Sequence, residues 1–263
     1  MPTQQIIYVG DDDGFPYGNW PEEALVERLV GLIGHYLKAH TIELAIIACN
    51  TASTLIMPAL RAAFDIPFVG IVPAIKPAAQ RTDSGLVSVL ATHGTVNRHY
   101  TQTLIDEFAG EATVNLVGSS ELAKMAEHYM QHREIDADGL WREIEPCFIN
   151  ENGKRTDIVV LGCTHYPFLV NEMRKLAPWP VDWIDPSEAV AKRALSVLED
   201  VTGRNSPEIS PQNSNQNTPS AASKVDLAYL TSNSADSPAT RLLQGFGLQL
   251  QTHGPYLKAL KSN

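Results

Sequence analysis

Short apolar runs alternate along most of the chain with longer stretches in which apolar positions recur every three or four residues. The runs Ile6–Val9, Leu44–Ala48, Phe68–Val72, Leu86–Ala91, Val114–Val117, Ile158–Leu161 and Val181–Ile184 read as strands. The stretches Pro21–His40, Ala52–Phe64, Asn97–Phe108, Ser120–His132, Asp136–Ile149, Pro167–Leu176 and Pro186–Glu199 read as helices. This rhythm predicts an α/β fold with mainly parallel sheets, arranged as two pseudo-symmetric α/β lobes with the active site between them. Residues 1–71 plus 186–263 are expected to form the first lobe and residues 72–185 the second, with a hinge near Ile71–Pro77 and a return near Asp185. Within the first lobe, residues 203–224 are dominated by Ser, Asn, Gln and Pro and offer almost nothing to bury, so a disordered insert is expected there. Beyond it, Asp226–Thr231 reads as a strand and Pro238–Gly245 as a helix.

Composition narrows the partners. The chain of 263 residues carries 30 acidic against 20 basic side chains, a formal charge of -10. That balance argues against nucleic acid or an anionic membrane surface, both of which require clustered Lys and Arg. No stretch has the length of apolar residues that a bilayer span needs, and the start lacks the basic and apolar regions of a signal peptide, so a cytoplasmic protein is expected. The three cysteines, Cys49, Cys147 and Cys163, show no Cys-x-x-Cys spacing. Free thiols are expected, with neither a disulfide framework nor a zinc site.

Two of these cysteines sit in matching modules. Leu44-Ala45-Ile46-Ile47-Ala48-Cys49-Asn50-Thr51-Ala52-Ser53 and Ile158-Val159-Val160-Leu161-Gly162-Cys163-Thr164-His165-Tyr166-Pro167 are each a strand ending in a thiol, followed by polar groups and the start of a helix. Thr51 or Ser53, and Thr164 to Pro167, supply cap-like residues there. In an open α/β sheet the carboxyl ends of strands face the ligand crevice. A thiol beside a helix N-terminus is expected to have its pKa lowered toward the working pH, as a proton-transfer base requires. Two such turns can present thiols to opposite faces of one small anionic molecule, and that arrangement permits a two-base racemisation with no metal and no cofactor. The carboxylate beside the forming carbanion needs preorganised donors, for which Asn50, Thr51, Thr164 and nearby backbone amides are suitable types. His165, two residues after one thiol, is placed to tune Cys163. Cys147, in an amphipathic stretch with Leu140, Ile144 and Phe148, reads as ordinary packing, and Asp11-Asp12-Asp13 as a solvated turn.

Taken together, Ala48-Cys49-Asn50-Thr51-Ala52 and Gly162-Cys163-Thr164-His165-Tyr166-Pro167 resemble the two catalytic signatures of the glutamate racemase family. Tyr8-Val9-Gly10-Asp11 leading to Pro16-Tyr17-Gly18-Asn19, Phe64-Asp65-Ile66-Pro67-Phe68-Val69-Gly70, and Leu90-Ala91-Thr92 with Gly94-Thr95 add to the likeness, which covers most of residues 5–200. The resemblance implies interconversion of L- and D-glutamate for peptidoglycan synthesis, with Cys49 and Cys163 as the two proton donors and acceptors. It implies that Tyr17, Gly18, Asn50, Thr51, Thr95 and Thr164 bind the substrate, that His165 assists Cys163, and that Glu127 is a supporting carboxylate, although Ser119-Ser120 stands where the family has Cys-Pro. It leaves a homodimer open.

The sequence departs from the family at its start, which opens at the Tyr-Val-Gly-Asp strand without the preceding Asp-Ser-Gly turn. Asp83-Ser84-Gly85 has the same letters but precedes the Leu86–Ala91 strand and is not its counterpart. The expectation is a start codon upstream. The alternatives are an impaired or non-catalytic glutamate-binding protein, a related aspartate or hydantoin racemase, and a hydrolase using a Cys163–His165 pair.

Overall fold

The structure, a computed structural model, describes residues 4–132, 134–203, 225–232 and 238–251; the expected insert falls outside these apart from Gly203. The strands are β1 (Ile7–Gly10), β2 (Ala45–Ile47), β3 (Phe68–Gly70), β4 (Leu86–Thr92), β5 (Thr113–Ser119), β6 (Asn150–Glu151), β7 (Lys154–Arg155), β8 (Ile158–Gly162), β9 (Asp182–Ile184), β10 (Leu227–Leu230) and β11 (Gln249–Leu250). The helices are α1 (Glu22–Ala39), α2 (Asn50–Ala63), α3 (Ile75–Arg81), α4 (His93–Val96), α5 (His99–Phe108), α6 (Leu122–His132), α7 (Ala137–Ile144), α8 (Val170–Leu176), α9 (Ser187–Thr202) and α10 (Pro238–Gly245). The protein is α/β, and among the described residues its sheets are parallel apart from one hairpin.

The chain forms two compact units. The larger holds residues 16–34 and 41–198. Its main sheet has the order β5-β4-β8-β9, all parallel, and β2 and β3 form a second parallel pair. All five residues of β8 are buried, as a central strand covered on both faces requires. Val87, Val89 and Ala91 of β4 share one core with Ile158 and Val160 of β8, Ile184 of β9, Ile75 and Ala78 of α3, and Leu104 of α5. The alternate-residue spacing in β4 and β8 puts these side chains on one face of the sheet. In α2, Ala52, Ile56 and Leu60 recur every fourth residue and are all buried.

The smaller unit holds residues 1–15, 35–40 and 199–263. Its sheet has the order β1-β10-β11, with Ala228 and Leu230 buried against Leu243 of α10. The strand and helix expected at Asp226–Thr231 and Pro238–Gly245 form there as β10 and α10. The acidic run near residue 12 is not the freely solvated turn expected of it. It forms a 3-10 turn, Asp12–Gly14, laced to the end of β10: the Thr231 hydroxyl donates to Asp11 at 2.8 Å, and the Ser232 N–H donates to Asp12 at 2.8 Å.

Three elements were not anticipated. The stretch read as a hinge at Ile71–Pro77 contains the start of α3. The helix expected over Asn97–Phe108 forms as α5 from His99, and a separate short helix, α4, precedes it. β6 and β7 form a hairpin about Asn152-Gly153, whose positive φ values of 53° and 76° are those a primed turn demands. Among the described residues no helix is long and apolar enough to cross a membrane.

Candidate active site

The candidate site lies within the larger unit, at the carboxyl ends of its strands. β2 runs into Cys49 and α2, β4 into Thr92 and α4, β5 into Ser119 and α6, and β8 into Cys163. The approach of β8 to β4 is close because Gly162, paired with Ala91, has no side chain: a Cβ there would stand 2.7 Å from the Ala91 Cβ. The residue before the second thiol is therefore glycine for a packing reason.

The two cysteine turns are built alike. Cys49 is the N-cap of α2 and Cys163 leads into a 3-10 turn, Tyr166–Leu169, in which Pro167 takes an early position. Neither start carries a side-chain cap. The backbone N–H groups of residues two and three further on, Thr51 and Ala52 in one turn and His165 and Tyr166 in the other, instead interact with the sulfurs. In the Cys49 turn these are the positions whose N–H groups a capping side chain normally satisfies. The cap role expected of Thr51 or Ser53 is thus not taken up. The Ser53 hydroxyl, instead, donates to the Ile47 carbonyl at 2.9 Å and accepts from the Ile71 N–H at 3.1 Å, tying the ends of β2 and β3 together behind the thiol.

The electrostatics reverse one expectation. Burial is the largest influence on both thiols, raising Cys49 above its ordinary value and pushing Cys163 up to about 12. The N–H groups of the turns pull both back, and for Cys49 the Thr51 hydroxyl adds to this, but desolvation wins. Helix-start amides alone therefore do not give two thiolates at neutral pH. Cys49 is also among the groups that raise Cys163.

Cys163 heads a chain of polar groups. Its sulfur lies 3.8 Å from His165 Nδ1, and His165 Nε2 lies 3.0 Å from Glu127 Oε1 on α6. With Nε2–H donated to the carboxylate, Nδ1 is left as the acceptor facing the thiol. Ser119 sets the start of α6, its hydroxyl accepting from the Leu122 N–H at 3.0 Å, so the position expected to weaken the reading of Glu127 serves to place it. Thr164, between Cys163 and His165 in the chain, is half-buried.

Around Cys49 the polar groups are packed more tightly. Asn50 is only 1% exposed, yet neither its amide nitrogen nor its oxygen has a hydrogen-bond partner. Such a group costs stability unless water or a ligand satisfies it. Thr51, Thr92 and Thr95 form a triangle of hydroxyls, with separations of 2.8 Å for Thr51–Thr92 and 3.1 Å for each of the others. Gly18, in the 3-10 turn Tyr17–Asn19, lies against them: a Cβ on it would be 3.3 Å from the Thr92 Cβ, and a Cβ on Gly94 would be 3.2 Å from the Gly18 carbonyl oxygen. Arg98 pairs with Glu22 at the start of α1 and anchors this loop to the α4–α5 corner.

Of the residues singled out from sequence, Cys49, Asn50, Thr51, Thr95 and Gly18, with Tyr17 beside it, therefore gather at one thiol, and Cys163, Thr164, His165 and Glu127 at the other. Thr92 was missed as a functional residue; its place at the end of β4, one strand from Cys163, was the available signal. Cys147 is fully buried. Asp83-Ser84-Gly85 lies at the opposite end of β4, where the Asp83 and Ser84 N–H groups and the Thr82 hydroxyl hold the Asp157 carboxylate at 2.7–2.8 Å. α6 also carries a His-x-x-x-His spacing, with the His128 and His132 ring centroids 4.7 Å apart. No group of three potential metal ligands is found among the described residues.

The sequence of the Asp/Glu/hydantoin racemase family matches residues 2–194. The glutamate racemase of Brucella canis is 52% identical over 250 residues, which cover 95% of this chain and 85% of that protein. That of Brucella anthropi is 53% identical over 249 residues, 94% of this chain and 84% of that protein. Among solved structures, Escherichia coli glutamate racemase in complex with L-glutamate and the activator UDP-MurNAc-Ala superposes with a TM-score of 0.78 at 36% identity, over 95% of this chain and 88% of that one. A glutamate racemase from Bacillus anthracis, 23% identical, shares the fold with a TM-score of 0.72 over 95% of this chain and 88% of its own.

Proposed function

The chain belongs to the Asp/Glu/hydantoin racemase family, and from that premise we infer that it interconverts L- and D-glutamate and so supplies D-glutamate for peptidoglycan synthesis in the cytoplasm. The single observation that carries the chemistry is the pair of matched thiol turns, each at the carboxyl end of a parallel strand, β2 and β8.

In one direction a thiolate removes the Cα proton from one face of glutamate while the opposite thiol delivers a proton to the other face, and in the reverse direction the roles exchange. Because burial holds both thiols protonated in the free protein, the thiolate forms when substrate is present. The ammonium group of glutamate brings a positive charge into the site, which favours the ionised sulfur. At Cys163 the departing proton passes to His165 Nδ1, and Glu127 stabilises the resulting imidazolium through Nε2. At Cys49 the thiolate is met by the Thr51 and Ala52 N–H groups and the Thr51 hydroxyl.

The negative charge that develops on the substrate carboxylate requires donors held in place beforehand. Asn50, with its amide unsatisfied, serves this role together with Thr51, Thr95, Thr164 and the Tyr17-Gly18 turn.

The test is incubation with each enantiomer of glutamate and of aspartate in D2O, followed by chiral chromatography and mass analysis. Inversion of glutamate with one deuterium entering at Cα is the expected result. Turnover of aspartate alone would replace the substrate, and binding of glutamate with no deuterium entry would leave a binding protein in place of an enzyme.

A further inference from the structure

Besides Glu127, α6 carries two histidines one helical turn apart. His128 and His132 are both exposed, with ring centroids 4.7 Å apart and ring planes tilted by 43°. Among the described residues neither ring takes part in a hydrogen bond or an ion pair; each meets only the other. The tilt is neither the offset parallel stack nor the perpendicular edge contact that aromatic rings prefer.

Residues four apart share one face of a helix, so two imidazoles at this spacing can close on one ion. Metal–nitrogen bonds of about 2.0–2.1 Å and the roughly 90–110° angles of octahedral or tetrahedral sites place two such ring centroids about 4.5–5.2 Å apart. The observed separation falls in that range. The surroundings also suit a cation. His132 lies in the last turn of α6, where the helix dipole favours positive charge. His128 lines an open cleft with Glu134 and Asp136, and the one ammonium group in that lining, Lys124, is paired with both oxygens of Glu121 at 3.0 and 3.3 Å.

We propose that His128 and His132 form a two-nitrogen chelate for a divalent transition ion of the copper, nickel and zinc class, with water completing the coordination sphere. Neutral imidazole selects these ions over Mg2+ and Ca2+, which take oxygen ligands. The helix holds the second nitrogen in place once the first has bound, so the pair binds one ion more tightly than two separate histidines would. The site uses neither Glu127 nor the thiols, and it stands or falls apart from the assigned reaction.

The experiment is a calorimetric titration of the untagged full chain with Ni2+ at about pH 7.5, where imidazole is mostly neutral. Saturation at one ion per chain is the expected result. His128→Gln and His132→Gln should each weaken binding at least about tenfold, and the double variant should lose little more, because either change breaks the chelate. His99→Gln, which removes another exposed imidazole, should leave the affinity unchanged, and Mg2+ should give no saturable heat. Thermal melting in EDTA checks that each variant keeps its fold, and the corresponding asparagine variants give the same reading if a glutamine variant does not. Absence of saturable Ni2+ binding, binding that survives both substitutions and so belongs to the cysteine thiols or another site, saturation by Mg2+, or an equal loss in His99→Gln would each overturn the proposal. So would two single variants that each lose half the bound ions at unchanged affinity, the mark of separate histidines.

Discussion

Gly162→Ala is the substitution whose cost can be worked most directly from the structure. The added methyl would lie 2.7 Å from the Ala91 Cβ and 3.2 Å from the Leu90 carbonyl oxygen. Ordinary carbon–carbon contact needs about 3.5–4.0 Å, so the strands would have to part by about 1 Å. They have little freedom to do so, because β4 is paired on both sides, with β5 and with β8, and β8 is buried throughout. Overpacking of this kind costs roughly 1–3 kcal/mol, and the upper end applies where backbone rather than a flexible side chain must yield. For a protein of this size about 3 kcal/mol lowers Tm by roughly 6–12 °C. The partner change Ala91→Gly removes the methyl it would strike and by itself should cost about 1 kcal/mol, from lost burial and added backbone freedom. The two together should therefore be more stable than additivity predicts, by about 1–2 kcal/mol, measured as a double-mutant cycle in urea unfolding. A melting temperature for Gly162→Ala within about 1 °C of wild type, or strict additivity in the cycle, would refute the claim that close strand approach is what demands glycine before Cys163.

Three further outcomes follow from the site and its surroundings. Replacing Asn50 by Leu removes two buried polar atoms that lack partners, so the free protein should melt a few degrees higher, while KM for glutamate rises at least about tenfold through loss of a hydrogen bond to a charged ligand; a lower Tm with unchanged KM would contradict this. Glu127→Gln preserves the shape that meets His165 but removes the charge that stabilises its protonated form, and kcat should fall about 10- to 100-fold with Tm little changed, as read by racemisation and thermal melting; an unaltered kcat would remove Glu127 from the relay. Asp157 has its pKa lowered in the folded chain; burial opposes the shift, but the hydrogen bonds from Thr82, Ser84 and Asp83 outweigh it. Its contribution is therefore present above the ordinary carboxylate value of 3.8 and is lost as pH falls through the lower folded value. Urea unfolding of Asp157→Asn should show destabilisation at pH 6 that shrinks toward pH 3, and a difference independent of pH would count against it.

Several structural features were legible from sequence, and others were not. Periodicity alone located β4, β8, α2 and α6, because a strand buried on both faces and a helix with one buried stripe leave different spacings in the chain. The hairpin at Asn152-Gly153 was missed although its turn dipeptide was present, because the flanking residues Glu151 and Lys154 are polar and exposed and give no alternation to notice. α3 was hidden by its short length and by the prolines at 73 and 77, which read as a break in the chain. The ionisation of the thiols was misjudged for a physical reason: a helix N-terminus is visible in sequence, but the depth at which it is buried is not, and desolvation outweighs two N–H groups.

By itself the sequence determined the α/β rhythm, the two strand-end thiols with their polar followers, and the resemblance that named the reaction. Those are local properties, fixed by residues near one another in the chain. Tertiary structure alone decided that Asn50 would be buried without a partner, that Glu127 would reach His165 across 38 positions in the chain, and that Thr51, Thr92 and Thr95 would share one knot of hydroxyls. Each of these depends on which strand ends lie side by side, and that is settled by the order β5-β4-β8-β9 and the register within it, which no local pattern encodes.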